Sequence, residues 1–72
     1  NSYISNIFNN GIDKIAQKVG EEATELVIAS KNSDKKEFIY ESADLLFHFL
    51  LILQKREIKL NDVINELKTR HK

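Results

Sequence analysis

Seventy-two residues are enough for one domain, and a domain of this size buries only a modest share of its surface. The chain has no Cys, which excludes disulfides and Cys-based zinc or iron–sulfur sites and fits a reducing compartment. Its 11 Lys plus Arg balance 11 Asp plus Glu, so no basic field exists to recruit nucleic acid or an anionic membrane. The opening NSYISNIF lacks the basic start and long apolar run of a signal peptide, and the apolar run Leu45 to Leu53 is too short to span a bilayer. A cytoplasmic domain over residues 1–72 is therefore expected, with no membrane and no nucleic acid among its partners. The chain starts without Met, and a missing upstream segment, either a helix or a whole domain, is expected.

With no Pro and only Gly11 and Gly20, long uninterrupted helices are permitted. Ser2 to Asn9 reads as a short helix with Tyr3, Ile7 and Phe8 at helical spacing, and Asn10-Gly11 ends it. A long helix is predicted from about Ile12 to Ser30, with Ile12, Ile15, Val19, Ala23 and Leu26 on one face. Lys31-Asn32-Ser33 reads as a turn. Asp34 followed by Glu37 has the form of a capping box, with Ser33 as competing N-cap. A second long helix follows from about Lys35 to Lys55, and a last amphipathic one from about Asn61 to Arg70 carries Val63, Ile64 and Leu67. The expected fold is all-α: two long helices in an antiparallel hairpin, flanked by shorter ones.

The helix ESADLLFHFLLIL, Glu41 to Leu53, is apolar in almost every direction. A monomer of this size has too little other material to cover it, so a homodimer is expected, with this helix central to a four-helix-type bundle. Yet the same helix carries Glu41, Asp44 and His48. At about 100° per residue they fall, with Glu37 and Lys55, within an arc of roughly 60°. On the other long helix Lys14, Lys18, Glu21 and Glu25 share a similar arc, with Glu22 to one side.

Glu22 and Glu25 are helical neighbours three residues apart, and so are Glu41 and Asp44. Adjacent antiparallel helices can turn these two pairs toward one point, where unpaired carboxylates repel one another and take up protons. A divalent cation removes the repulsion, and an all-oxygen set suits Mg²⁺ or Mn²⁺. A di-iron bundle would need Glu-x-x-His pairs, and Leu45 stands three residues before His48. His48 is a candidate phosphate contact, an orienter of a carboxylate or water, or a satisfied interfacial histidine. Lys14 and Lys18 are candidates either for ion pairs with Glu21, Glu22 and Glu25 or for phosphate binding. His71 sits in a basic tail and is given no role.

The text EEATE, Glu21 to Glu25, followed after 15 residues by ESAD, Glu41 to Asp44, resembles the EExxE…ExxD pattern of the all-α, MazG-like nucleotide pyrophosphohydrolases. SYISNIF, GIDKIAQKVGEEATE and ADLLFHFLLIL together resemble the phosphoribosyl-ATP pyrophosphohydrolases of histidine biosynthesis. That resemblance implies Mg²⁺-dependent hydrolysis of 1-(5-phosphoribosyl)-ATP to 1-(5-phosphoribosyl)-AMP and pyrophosphate. It implies Glu22, Glu25, Glu41 and Asp44 as metal ligands, Glu22 or Glu25 as general base, and Glu21 outside the ligand shell. Lys14, Lys18 and His48 would meet the substrate. Many members are fused to a cyclohydrolase domain. Where the family reads Ser-Tyr-Thr, this chain reads Ser2-Tyr3-Ile4, and no hydroxyl role is assigned there. The alternatives are another MazG-like nucleoside triphosphate pyrophosphohydrolase and a non-catalytic helical dimerisation module.

Overall fold

A computed structural model describes residues 2–71, and every regular element in it is a helix: α1 (Ser2–Asn9), α2 (Ile12–Ala29), α3 (Lys35–Lys55) and α4 (Leu60–Arg70). The predicted elements are all present, with ends shifted by at most one residue. Gly11 separates α1 from α2 at φ 89°, a backbone state in which a Cβ is strained. It serves α2 as an N-cap without a side-chain hydrogen bond.

Asp34 rather than Ser33 caps α3, its Oδ1 accepting the Glu37 N–H at 3.1 Å. Only half of the expected capping box forms. The Glu37 carboxylate accepts from Asn32 Nδ2 at 2.7 Å, and it is Asn32 Oδ1 that accepts the Asp34 N–H at 2.9 Å. Asn32 thus takes over the side of the box that Glu37 would have filled. At the other end of α3 the Ile58 N–H reaches the Leu53 carbonyl at 2.9 Å and the Glu57 N–H reaches the Gln54 carbonyl at 3.1 Å. This is the Schellman pattern, and Glu57, at φ 56°, holds the left-handed position usually given to Gly.

α2 and α3 form the hairpin. As residue numbers rise along α2 their partners on α3 fall: Ile15 packs with Leu51, Glu22 meets His48, and Glu25 meets Glu41. The helices are therefore antiparallel. Ile7 of α1 joins Ile15 and Leu51 in the core, with Phe8, Phe47 and Ile52 packed around them. Lys55 lies over the Phe8 ring at 4.3 Å and ties α1 to the far end of α3. No residue of α4 is buried.

The buried stripe of α2 is Ile15, Glu22 and Ala29. This corrects the expected apolar face in one respect: Ile12 is exposed, and the inward line passes through Glu22. Among the described residues the buried apolar set is only Ile7, Ile15, Ala29, Leu51 and Leu53. Leu46, Leu50, Ile39 and Tyr40 of α3 stay exposed on the single chain.

Candidate functional site

Glu22 and His48 are the two buried polar side chains among the described residues, and they face each other across the hairpin. His48 Nδ1 lies 2.6 Å from Glu22 Oε1 and 3.0 Å from the Asp44 carbonyl one turn back on α3. The carbonyl takes the N–H hydrogen bond. Glu22 Oε1 sits beside that bond, close but off the N–H axis, and has no hydrogen-bond partner of its own. On the opposite edge of the ring, Nε2 is 2.9 Å from the Tyr3 hydroxyl.

Burial pushes the Glu22 carboxyl above its usual range. His48 opposes the shift, the Asp44 charge adds to it, and Lys18 opposes it. One helical turn along α2, Glu25 meets Glu41 of α3. Glu41 is also raised, first by desolvation, then by the hydrogen-bonding and charge of Glu25, then by the charges of Asp44 and Glu37. Its Oε1 is likewise buried and without a hydrogen-bond partner.

The structure therefore brings together Glu22, Glu25, Glu41 and Asp44, as the two i,i+3 pairs lead one to expect. Asp44 is the shared neighbour whose charge acts on both Glu22 and Glu41. The four carboxylates are not closed on one point: among the described residues no three His, Cys, Asp or Glu side chains stand in position to hold a metal ion. Their chemistry nevertheless fits a hard cation. Four hard oxygen-bearing groups share one stretch of the hairpin, two of their oxygens are buried without a hydrogen-bond partner, and burial first, then the charge of neighbouring acids, raises Glu22 and Glu41.

The remaining candidates separate clearly. Lys18 is half-buried, its ammonium 3.8 Å from Glu21 and close enough to act on Glu22. Lys14 is exposed one turn earlier. Glu21 is exposed and held by Gln17 Nε2 at 3.0 Å and by Lys18, both on its own helix. It is not brought to the two acidic pairs. His48 has both ring nitrogens engaged within the chain, which fits a satisfied histidine or an orienter of a carboxylate and not a phosphate contact.

Tyr3 is the residue that the sequence reading missed. Its hydroxyl is used after all, although the stretch Ser2-Tyr3-Ile4 departs from the pattern of the resembling family. Apolar spacing on α1 marked Tyr3 for packing, and it does stack on Phe47 with ring centroids 6.5 Å apart.

A second feature of the hairpin is an apolar groove of about 310 Å³ lined by Val19, Leu26, Ser42, Leu45, Leu46 and Phe49. None of the four clustered carboxylates lines it. Among the described residues, no helix is long and apolar enough to cross a membrane.

A family model described as phosphoribosyl-ATP pyrophosphohydrolase matches residues 1–71. The chain is 55% identical over 71 residues to "Histidine biosynthesis bifunctional protein HisIE" of Caldanaerobacter subterraneus, covering 99% of this chain and 35% of that protein. It is 54% identical over 69 residues to "Phosphoribosyl-ATP pyrophosphatase" of Geobacter sulfurreducens, covering 96% of this chain and 64% of that protein. Against the protein of the same name from Clostridium novyi the identity is 46% over 72 residues, covering all of this chain and 66% of that protein. The chain thus spans about a third of the bifunctional relatives and about two thirds of the shorter ones.

Proposed function

The chain belongs to the phosphoribosyl-ATP pyrophosphohydrolase family, and from that premise we propose that it hydrolyses 1-(5-phosphoribosyl)-ATP to 1-(5-phosphoribosyl)-AMP and pyrophosphate with the aid of Mg²⁺. The observation that carries the reading is the meeting of two acidic pairs, Glu22 with Glu25 and Glu41 with Asp44, on facing helices with two buried carboxylate oxygens lacking donors. Mg²⁺, or Mn²⁺ in its place, would offset the charge of the triphosphate and make a bound water more acidic.

The chain's own part follows from its residues. Glu22, Glu25, Glu41 and Asp44 would hold the cation. A bound cation would offset the charge that Asp44 and Glu25 place on their neighbours Glu22 and Glu41. Glu25 is exposed and beside Glu41, so it is the better placed of the two candidate bases to reach a water in the cleft. Glu22, buried against His48, is better placed as a fixed ligand. Lys18 and Lys14 line the approach along α2 and would meet phosphate oxygens and the charge that grows on the departing pyrophosphate.

A homodimer is part of the same proposal. The Cα radius of gyration is 13.9 Å, where a compact chain of this length would have about 11 Å. The exposed Leu46 and Leu50 continue the apolar groove between α2 and α3. A second hairpin laid on that face would complete a four-helix bundle. Fusion to a cyclohydrolase domain is the matching proposal for the surrounding protein, two of whose relatives of the bifunctional type are about three times as long as this chain.

The test is pyrophosphate release by the full-length protein from phosphoribosyl-ATP, dUTP and dCTP, with and without Mg²⁺. Release from phosphoribosyl-ATP alone, and only with the cation, is expected. Brisk turnover of dUTP or dCTP with none of phosphoribosyl-ATP would point to another MazG-like enzyme, and no turnover of any of them to a dimerisation module. Glu25→Gln and Asp44→Asn are each expected to fold and to lose at least about a hundredfold in kcat/KM. Near-normal turnover in either would remove that residue from the site.

A further inference from the structure

The Tyr3 hydroxyl reaches a ring 45 positions away in sequence, and the bond crosses from α1 to α3. The His48 ring it touches is 3% exposed and has its other nitrogen against two oxygens, the Asp44 carbonyl and Glu22 Oε1. The Asp44 carbonyl can only accept, so Nδ1 carries a proton. In the Nδ1–H tautomer Nε2 is an acceptor, and the Tyr3 O–H is its donor. Turning the ring over would put carbon atoms where both nitrogens now stand. Phe47 packs edge-on against His48 at 4.9 Å and stacks on Tyr3, which holds the phenol and the imidazole in register.

We propose that Tyr3 and His48 are positioning residues for Glu22: the Tyr3 hydroxyl and the Asp44 carbonyl fix the His48 ring between them, and the Nδ1 edge, 2.6 Å from Glu22 Oε1, sets where that carboxylate rests beside Asp44. The inference rests on the reading of Glu22, Glu25, Glu41 and Asp44 as the cation-holding set. It adds that α1, which carries none of the four acids, sets the orientation of one of them from a full helix away. The arrangement is of the kind in which a side chain behind a ligand governs its affinity for metal.

The experiment uses the full-length protein and the variants Tyr3→Phe, His48→Asn, the double variant, Glu22→Gln and Asp44→Asn. The readouts are the ¹⁵N shifts of the His48 ring without cation, Mn²⁺ affinity by calorimetry without substrate, kcat and KM at saturating Mg²⁺, and the melting temperature. Tyr3→Phe removes one oxygen and keeps the ring that stacks on Phe47. It is expected to shift the Nε2 signal, to weaken Mn²⁺ binding about tenfold, and to leave KM at saturating Mg²⁺ within about twofold. His48→Asn keeps an N–H near the Nδ1 position and cannot reach Tyr3, so the double variant should bind Mn²⁺ as His48→Asn does.

Wild-type Mn²⁺ affinity in Tyr3→Phe overturns the proposal, and if the melting temperature falls at the same time Tyr3 has a packing role only. Additive losses in the double variant overturn it too. Wild-type Mn²⁺ affinity in both Glu22→Gln and Asp44→Asn is a different failure. It removes the cation set itself, and the positioning role with it, while the ¹⁵N shift still reports the Tyr3–His48 bond.

Discussion

Glu22 occupies a place on α2 that its spacing would give to an apolar side chain, since Ile15 and Ala29, seven residues to either side, are both buried. That placement has a consequence for pH. Burial raises the folded-state value of Glu22 above the 4.5 of an ordinary Glu, and Glu41 is raised as well. A carboxylate raised on folding binds more protons in the native state than in the unfolded one, so native stability declines as pH climbs from the unfolded value through the folded value. Below the unfolded value both states are protonated and the penalty is absent. In chelator, Glu22→Gln and Glu41→Gln are therefore each expected to raise the melting temperature at pH 7.5, with the gain vanishing near pH 4, while Mg²⁺ should stabilise the unaltered chain more than either variant. Equal melting temperatures at pH 7.5 would contradict the assignment. The acids themselves were legible in the sequence, because residues three apart on a helix must be neighbours. What was not legible is which acid turns inward, since Glu21, Glu22 and Glu25 differ by rotations that only the packing of α3 decides. Tyr3 was beyond reach for a related reason: its partner is 45 positions away, and no local spacing encodes that contact.

Helix ends divide in the same way. The punctuation at Asn10-Gly11 and the polar run before Lys35 marked the boundaries, because Gly and short polar side chains act on the backbone next to them. The partner exchange at the α3 cap was hidden, since Asn32 and Glu37 compete for the same donors and the outcome depends on the path of the loop. So was the α3 terminus, where Glu57 sits in a left-handed state with no Gly to announce it. Two substitutions should move stability in opposite directions, measured by urea denaturation. Asp34→Ala removes the acceptor for the Glu37 N–H and should cost about 1 kcal/mol. Glu57→Gly relieves the left-handed strain and should add up to about 1 kcal/mol, net of the greater freedom of Gly in the unfolded chain. A change of about 1 kcal/mol is expected to shift the melting temperature by roughly 4–8 °C in a domain of this size. A destabilised Glu57→Gly would mean that the Glu57 side chain makes a contact worth more than the strain.

Taken whole, the molecule measures 39 × 36 × 19 Å, and its least dimension is about two helix diameters. Among the described residues, five buried apolar side chains supply little with which to offset the chain entropy of folding. The all-α hairpin could be read from two long periodic segments joined by a short turn, and the apolar girth of α3 announced more surface than one chain can cover. Leu46 is more than half exposed on the single chain, at 53%. Leu46→Glu should therefore disturb a lone hairpin little and a shared bundle greatly. By sedimentation, the full-length protein is expected to be a dimer at micromolar concentration, and the variant to shift toward monomer with a melting temperature that depends on protein concentration. A variant that remains dimeric would place the interface elsewhere.

The 19 Å thickness also bears on how slowly the backbone exchanges its protons. In a slab only two helices deep, no amide is shielded by more than one layer of neighbours. An α3 amide can resist deuterium for long only if opening it is costly, and in so thin a chain that cost would have to come largely from a second copy. For the proposed dimer, deuterium uptake along α3 would thus act as a clock for subunit separation, quickening on dilution at fixed pH and temperature.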